Sequence, residues 1–428
     1  MKRRFLALVL AGCLAAVLST AAWASHPPTA VSTPDGLTDA LGDTAVTSIQ
    51  LAGNIDISST LVVTKDVTLD LNGHVLKMTG KGSVIHVKSG TLTLVDNNTS
   101  AEHKFTDDNG LWKLDDNGDK VVKGGVITGG TGSTYTYGNY TYDDCGGGVF
   151  VAPGASFVME GGNIVGCSAG KSGGGVKVTN DGDFKMTGGT ISGCTAGRGG
   201  GIDNRGTTTL SDNAKIKSCS TTGTGRDDHG GGVCSWRNLT VSGNVVITGC
   251  TAQNNNSYAM YVTTGYSDAR SSIEGGTFDG SVWLNHYSSG KITVSGGTFK
   301  NGVSGAWTVT FNTNGGTPEP ESQIRANLPA TKPDDPTKEG YNFGGWYTDE
   351  AFTTEYTFTE SEKVTQALTL YAKWTKEAAK YYYYTPADGS ADTAKGSPKT
   401  FDAGVGVYVG MVVMSVSGSA VVLGKKRK

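Results

Sequence analysis

Residues 173–194 read GGGVKVTNDGDFKMTGGTISGC, and the same phrase returns, with variations, in four copies between residues 146 and 250. The triple glycines start at Gly146, Gly173, Gly199 and Gly230, and a β-branched residue follows each of them: Val149, Val176, Ile202 or Val233. Every copy closes on Ile-x-Gly/Ser-Cys, with Ile164, Ile191, Ile216 and Ile247 three residues ahead of Cys167, Cys194, Cys219 and Cys250. Between these landmarks sits an alternating pair, Phe157/Met159, Phe184/Met186, Thr208/Leu210 or Leu239/Val241. Alternation with period two marks a strand with one buried face. Self-similarity every 26 to 31 residues marks stacked coils. The chain has 64 glycines and only 11 prolines, which suits tight corners at positive φ and close backbone approach. The reading is an all-β fold, a parallel β-helix with inward isoleucine and cysteine ladders whose rungs lie about 4.8 Å apart.

Weaker copies flank the four strong ones. Residues 47–96 read as short strands with a turn at Asn72-Gly73, and Gly275-Gly276-Thr277-Phe278 recurs 21 residues later as Gly296-Gly297-Thr298-Phe299. Coils are therefore expected from about residue 40 to 305, within a solenoid domain assigned to 25–305. The Leu69-Asp70-Leu71-Asn72-Gly73-His74 segment, the Gly-Gly-Gly-Val units and the Gly-Gly-Thr-Ile-x-Gly-Cys units resemble pectate-lyase-like surface proteins and autotransporter-type adhesins. The resemblance implies a right-handed parallel β-helix. It does not choose an activity, because the same solenoid carries lyases, glycosidases and non-catalytic adhesins.

Of seven cysteines, Cys13 falls in the leader described below and six remain: Cys145, Cys167, Cys194, Cys219, Cys234 and Cys250. None has C-x-x-C spacing, and no histidine accompanies them in a zinc-like pattern, so no metal and no cofactor is expected. Stacked side chains point the same way, which favours buried thiols in an inner ladder over bridges. One bridge among the six is the alternative.

The chain ends describe an itinerary. Lys2-Arg3-Arg4, an apolar run over 5–19 and Ala22-Trp23-Ala24 read as a signal peptide over 1–24, cut by signal peptidase after Ala24. Residues 403–424 carry no charge and are followed by Lys425-Lys426-Arg427-Lys428, a pattern that can span a membrane with its basic end in the cytoplasm. Ahead of them, Ser397-Pro398-Lys399-Thr400-Phe401 resembles a Gram-positive sortase signal, Leu-Pro-x-Thr-Gly. Pro398 and Thr400 match, while Ser397 replaces the leucine and Phe401 the glycine. The resemblance implies surface display, either linked by sortase to peptidoglycan or, where Phe401 blocks the enzyme, held by the membrane span. Residues 376–396 read as a linker through the wall.

Residues 306–375 form a separate module. Val309-Thr310-Phe311-Asn312, Gly344-Gly345-Trp346-Tyr347 and Leu368-Thr369-Leu370-Tyr371-Ala372-Lys373-Trp374 closely resemble the internalin-type B-repeat, also called the Listeria-Bacteroides repeat. That family implies a small β-grasp-like spacer or interaction module, not a catalyst; Trp346 reads as a core tryptophan, with a binding aromatic as the alternative.

Candidate chemistry is sparse. Asp143-Asp144 and Arg226-Asp227-Asp228-His229 both precede a triple glycine, but they lie three coils apart, roughly 14 Å, beyond the spacing of a glycosidase carboxylate pair. Asp227, Asp228 and His229 could act alone as catalytic groups or hold Ca²⁺ beside Arg226; a solvated loop is the plainer reading. Asp115-x-Asn117-x-Asp119 has the first half of a calcium loop, yet Lys120 stands where glycine belongs and no distal glutamate follows, which favours a polar turn. A formal net charge of −3 without a basic stripe argues against nucleic acid as a partner. The expectation is an exported cell-surface adhesin or binding scaffold without catalytic activity, with an unidentified glycan or protein ligand outside the cell. The alternative is a polysaccharide lyase or glycoside hydrolase acting on acidic glycans.

Overall fold

The computed structural model describes residues 27–378, apart from 226–227, 254–257, 266–267, 286–290 and 326–327. In the copy that starts at residue 149, Val149–Val151, Ser156–Met159 and Asn163–Val165 run along three faces, and Ser168–Ser172 makes a short fourth side. Each strand pairs in parallel with its equivalent one copy later: Val149 with Val176, Phe157 with Phe184, Ile164 with Ile191 and Ala169 with Ala196. The fold is an all-β parallel β-helix. We call the sheets through Val149–Val151, Ser156–Met159 and Asn163–Val165 the first, second and third.

The repeated residues explain the coil. Gly173 turns the corner at φ +68°, while a Cβ on Gly174 would lie 2.4 Å from the Thr195 carbonyl oxygen and one on Gly175 only 2.6 Å from Ile191 Cγ2. The first glycine thus supplies a conformation and the other two supply room. The isoleucines fill that room. Ile164, Ile191, Ile216 and Ile247 form one paired row, extended backwards through Ile127, Leu76 and Ile55 and forwards through Phe278 to Phe299. On the second sheet, Phe157 and Phe184 stack at 5.0 Å, adding about 0.5–1.5 kcal/mol to the burial of their rings.

All six described cysteines are buried and unbridged. Cys167, Cys194, Cys219 and Cys250 join the inner core as expected, but Cys234 does not. It follows the inward-facing Val233, so strand alternation sends it to the outer face, against Tyr258, Tyr261, Trp236 and Trp283.

One element was not expected. Helix Pro34–Gly42 is capped by the Thr33 hydroxyl, which accepts from the Gly36 N–H at 3.1 Å, and buries Leu37, Ala40 and Leu41 against the first coils. Its last carbonyls meet the Lys65 ammonium, which donates to Ala40 O at 3.1 Å. A solenoid end needs such a cover, since an open coil exposes unpaired backbone.

Two insertions dress the outer faces. Glu102–Asp108, Leu111–Leu114 and Lys120–Lys123 form an antiparallel sheet that packs Phe105, Val122 and Trp112 on Val75, Val126 and Val165 of the third sheet. The hairpin Ser133–Tyr137 and Tyr140–Cys145 lies over the first sheet.

In the module that follows, Trp307–Asn312 and Leu368–Lys376 make a central parallel pair, flanked by antiparallel Gln323–Arg325 and Tyr341–Tyr347. That strand order is β-grasp-like, without a helix among the described residues. Trp346 sits in its core, 5.1 Å from Phe311. Pairing of Val294 with Ile324 joins the module to the second sheet, giving one sheet of 14 strands. The expected leader, the sorting-like motif at 397–401 and the apolar span lie outside the described residues. Among the described residues no helix is long and apolar enough to cross a membrane.

Candidate functional site

The outer face of the first sheet carries a row in continuous register: Val62, His86, Phe150, Lys177, Asp203, Cys234, Tyr261 and Trp283. These side chains point away from the core. Lys177 and Asp203 are nonetheless only 2% and 0% exposed, because the overlying hairpin and the corner residues cover them. Tyr135 packs 4.1 Å from Phe150 and 4.2 Å from His86, whose Nε2 meets the Tyr137 hydroxyl at 2.5 Å. Burial, with help from Lys88, lowers the His86 pKa to about 4.

Beside this aromatic seat lies an ion cluster. Lys177 pairs with Asp203, and Arg198 Nε donates to Asp203 Oδ1 at 2.8 Å. Burial alone would raise the Asp203 pKa, but Arg198, Lys177 and Arg205 outweigh it and hold the carboxyl well below the usual range. One carboxylate serves three cations, so desolvated Lys177, repelled by Arg198 and Arg205, has its own pKa lowered. Arg205 lies 4.5 Å over the Trp236 ring. Burial first, then the Asp203 charge, push the neighbouring Cys234 thiol up to about 12, which keeps it protonated and unreactive. Above the cluster opens a groove of about 370 Å³, whose lining includes Tyr140, Asp143, Lys171, Lys177, Arg198 and Arg205.

Two family models match the chain. Residues 28–145 fit one described as "Putative pectate lyase-like adhesive domain", and residues 307–373 fit the Listeria-Bacteroides repeat domain. Two proteins of Evansella cellulosilytica are similar over short stretches. A "Putative membrane protein" is 44% identical over 68 residues, 16% of this chain and 10% of that protein. A "Putative Gly-rich membrane protein" is 35% identical over 88 residues, 21% of this chain and 10% of that protein. The matched stretch is thus a tenth of each relative's length. No solved structure matches.

The adhesive-domain match ends at Cys145, one residue before the first triple glycine, so most of the groove lies beyond it. Its charged residues come from coil corners and strand centres that single-copy reading passes over. Lys177 and Asp203 occupy the same register, directly after the β-branched residue of consecutive copies, and opposite charges at one register are the signal that could have revealed the pair. The corners before the glycines supply Asp143, Lys171 and Arg198 to the groove.

Of the residues singled out from sequence, Asp143 lines this groove, and the others fall elsewhere. His229 is 8% exposed and stacks on Tyr261 at 4.4 Å, in the aromatic cluster further along the row. Asp228 accepts from the Gly225 N–H at 2.8 Å, and Arg226 and Asp227 lie outside the described residues. Asp115 closes its own turn by accepting from the Asn117 N–H at 2.9 Å, while Asp119 pairs with Lys120 at 3.0 Å. Among the described residues, no three His, Cys, Asp or Glu side chains gather closely enough to hold a metal ion.

Proposed function

We propose that this chain is an exported cell-surface adhesin or binding scaffold, with the solenoid as its binding body and the Listeria-Bacteroides repeat as its stalk. The observation that carries the reading is the adhesive-domain match over 28–145, on sheets that continue unbroken through the later coils. Two features agree with it. The basic and apolar opening of the chain and its apolar, basic-ended tail suit export and tethering, and the relatives' names speak of membrane proteins. The buried groups of the ion cluster below the groove, ionised Asp203 and its protonated neighbour Cys234, are each held in one protonation state, which suits recognition better than proton transfer. Attachment follows the tail: Phe401 keeps sortase from the Thr400 bond and the apolar span holds the chain.

Expression of the full chain in a Gram-positive host tests this. Protease applied to intact cells should remove solenoid epitopes, and cell fractionation should place the chain in the membrane, moving to the wall with Phe401→Gly. Solenoid epitopes that resist protease on intact cells would sink the reading. Release of unsaturated or shortened products from uronic-acid polymers would favour the lyase or hydrolase alternative.

A further inference from the structure

We propose that the groove on the outer face of the first sheet binds an acidic sugar unit, its carboxylate or sulfate held by Arg205 and Lys171 and its ring laid against Tyr140. The proposal rests on the surface-binding reading above and names the ligand class for that site.

Charge carries the first part. Lys171, Lys177, Arg198 and Arg205 all line one cavity, and Asp143 is the single carboxylate among the lining residues. Asp203 lies beneath and is taken up by direct contact with Lys177 and Arg198. Lys171 is exposed and makes no ion pair, and Arg205 makes no hydrogen bond or ion pair through its guanidinium among the described residues. With its guanidinium carbon 4.5 Å over the Trp236 ring, Arg205 has N–H groups still available, a planar fork that matches a two-oxygen anion. A cation held over an indole, which feels Asp203 only through space and touches no carboxylate among the described residues, is arranged for an anion from outside.

Shape and polarity carry the second part. Tyr140 sits at the hairpin tip, lines the same cavity and is 64% exposed, so packing within the chain does not account for it. An aromatic ring with a polar edge offers an apolar face to the C–H side of a pyranose and a hydroxyl to its rim. Asp143 and Asn180, also in the lining, can accept hydrogen bonds from sugar hydroxyls. The volume of about 370 Å³ falls at the lower end of the range for small-molecule pockets, enough for one or two sugar rings. A nucleic acid would instead need a basic track along the surface, which the net charge of −3 and the sequence do not supply.

Calorimetric titration of the full chain tests the proposal, with hyaluronan hexasaccharide and sialyllactose as carboxylate probes, a heparin-derived hexasaccharide as the sulfate probe and chitohexaose as the neutral one. At least one acidic probe should bind and chitohexaose should bind at least tenfold more weakly. Preference among the acidic probes assigns the anion. Arg205→Ala and Tyr140→Ala should each weaken that binding tenfold or more with an unchanged near-ultraviolet circular dichroism spectrum, and Arg205→Lys should recover part of the loss. Equal binding of the neutral probe, no binding of any acidic probe, or unaltered affinity in Arg205→Ala would overturn the proposal. Adhesion of cells displaying the chain separates the two readings. Adhesion that survives Arg205→Ala overturns the groove and leaves the adhesin standing, whereas a wild-type chain that binds acidic sugar without mediating adhesion overturns the adhesin alone.

Discussion

Replacing Asp203 with alanine removes the one carboxylate among the described residues in contact with Lys177 and Arg198, at a position with no solvent exposure. Arg198, 19% exposed, can turn towards water, but Lys177 at 2% cannot do so without lifting the hairpin above it. Breaking a buried pair in this way costs about 3–5 kcal/mol, most of it from the cation left behind. Removing both charges is different. The double replacement Lys177→Met with Asp203→Leu leaves no stranded charge in the row and should return to within about 1–2 kcal/mol of the parent. Urea unfolding of the single and double variants gives the coupling, and hydrogen exchange at Val176–Val178 and Ile202–Asn204 localises it. The pH dependence has a definite sign. Because the Asp203 pKa is depressed in the fold, its contribution is complete above the unfolded carboxyl value of about 4 and fades as pH falls below it. A cost under about 1 kcal/mol for Asp203→Ala, or a double variant as weak as the single, would refute the view that this pair is a desolvated, mutually dependent floor.

Other expectations follow from single contacts. Gly193 has φ +56° and an added Cβ would lie 2.1 Å from Trp112 Cγ, so Gly193→Ala should cost more than about 2 kcal/mol in urea unfolding, with Trp112→Ala relieving only the steric part. The Thr208 hydroxyl is buried without a hydrogen-bond partner among the described residues, in the row between Phe184 and Leu239, and Thr208→Val should stabilise by about 1 kcal/mol in the same assay. His86 is depressed to about 4, so the hairpin's hold on the first sheet is complete above about pH 6.5 and weakens as pH falls towards 4. Exchange protection of Ser133–Tyr137 should decline over that window and become insensitive to it in His86→Phe.

The coil was legible because its signal is repeated: the same glycines, isoleucines and cysteines recur at one register, and only stacking explains their joint spacing. Helix Pro34–Gly42 lies outside the repeats, and its sole announcement, Thr33-Pro34-Asp35, is a local capping signal easily outweighed by the strands around it. The groove escaped for a different reason. Its residues are spread over the hairpin and successive coils, and Lys177 or Asp203 at a strand centre reads as an ordinary solvent-facing charge until the hairpin is placed over it. That hairpin is an insertion without a period. Conversely, the cluster at Arg226–His229 drew attention by its density of charge, whereas His229 itself is packed flat on Tyr261.

The measurement closest to the central claim is adhesion under flow of Gram-positive cells expressing the full chain, on surfaces coated with acidic or neutral glycan. Cells with the parent chain should be retained on the acidic surface and washed from the neutral one, and cells with Arg205→Ala and Tyr140→Ala together should be lost from both despite equal surface display. Retention that is the same on both surfaces, or unchanged by the two substitutions, would contradict a surface protein that binds through the first-sheet groove.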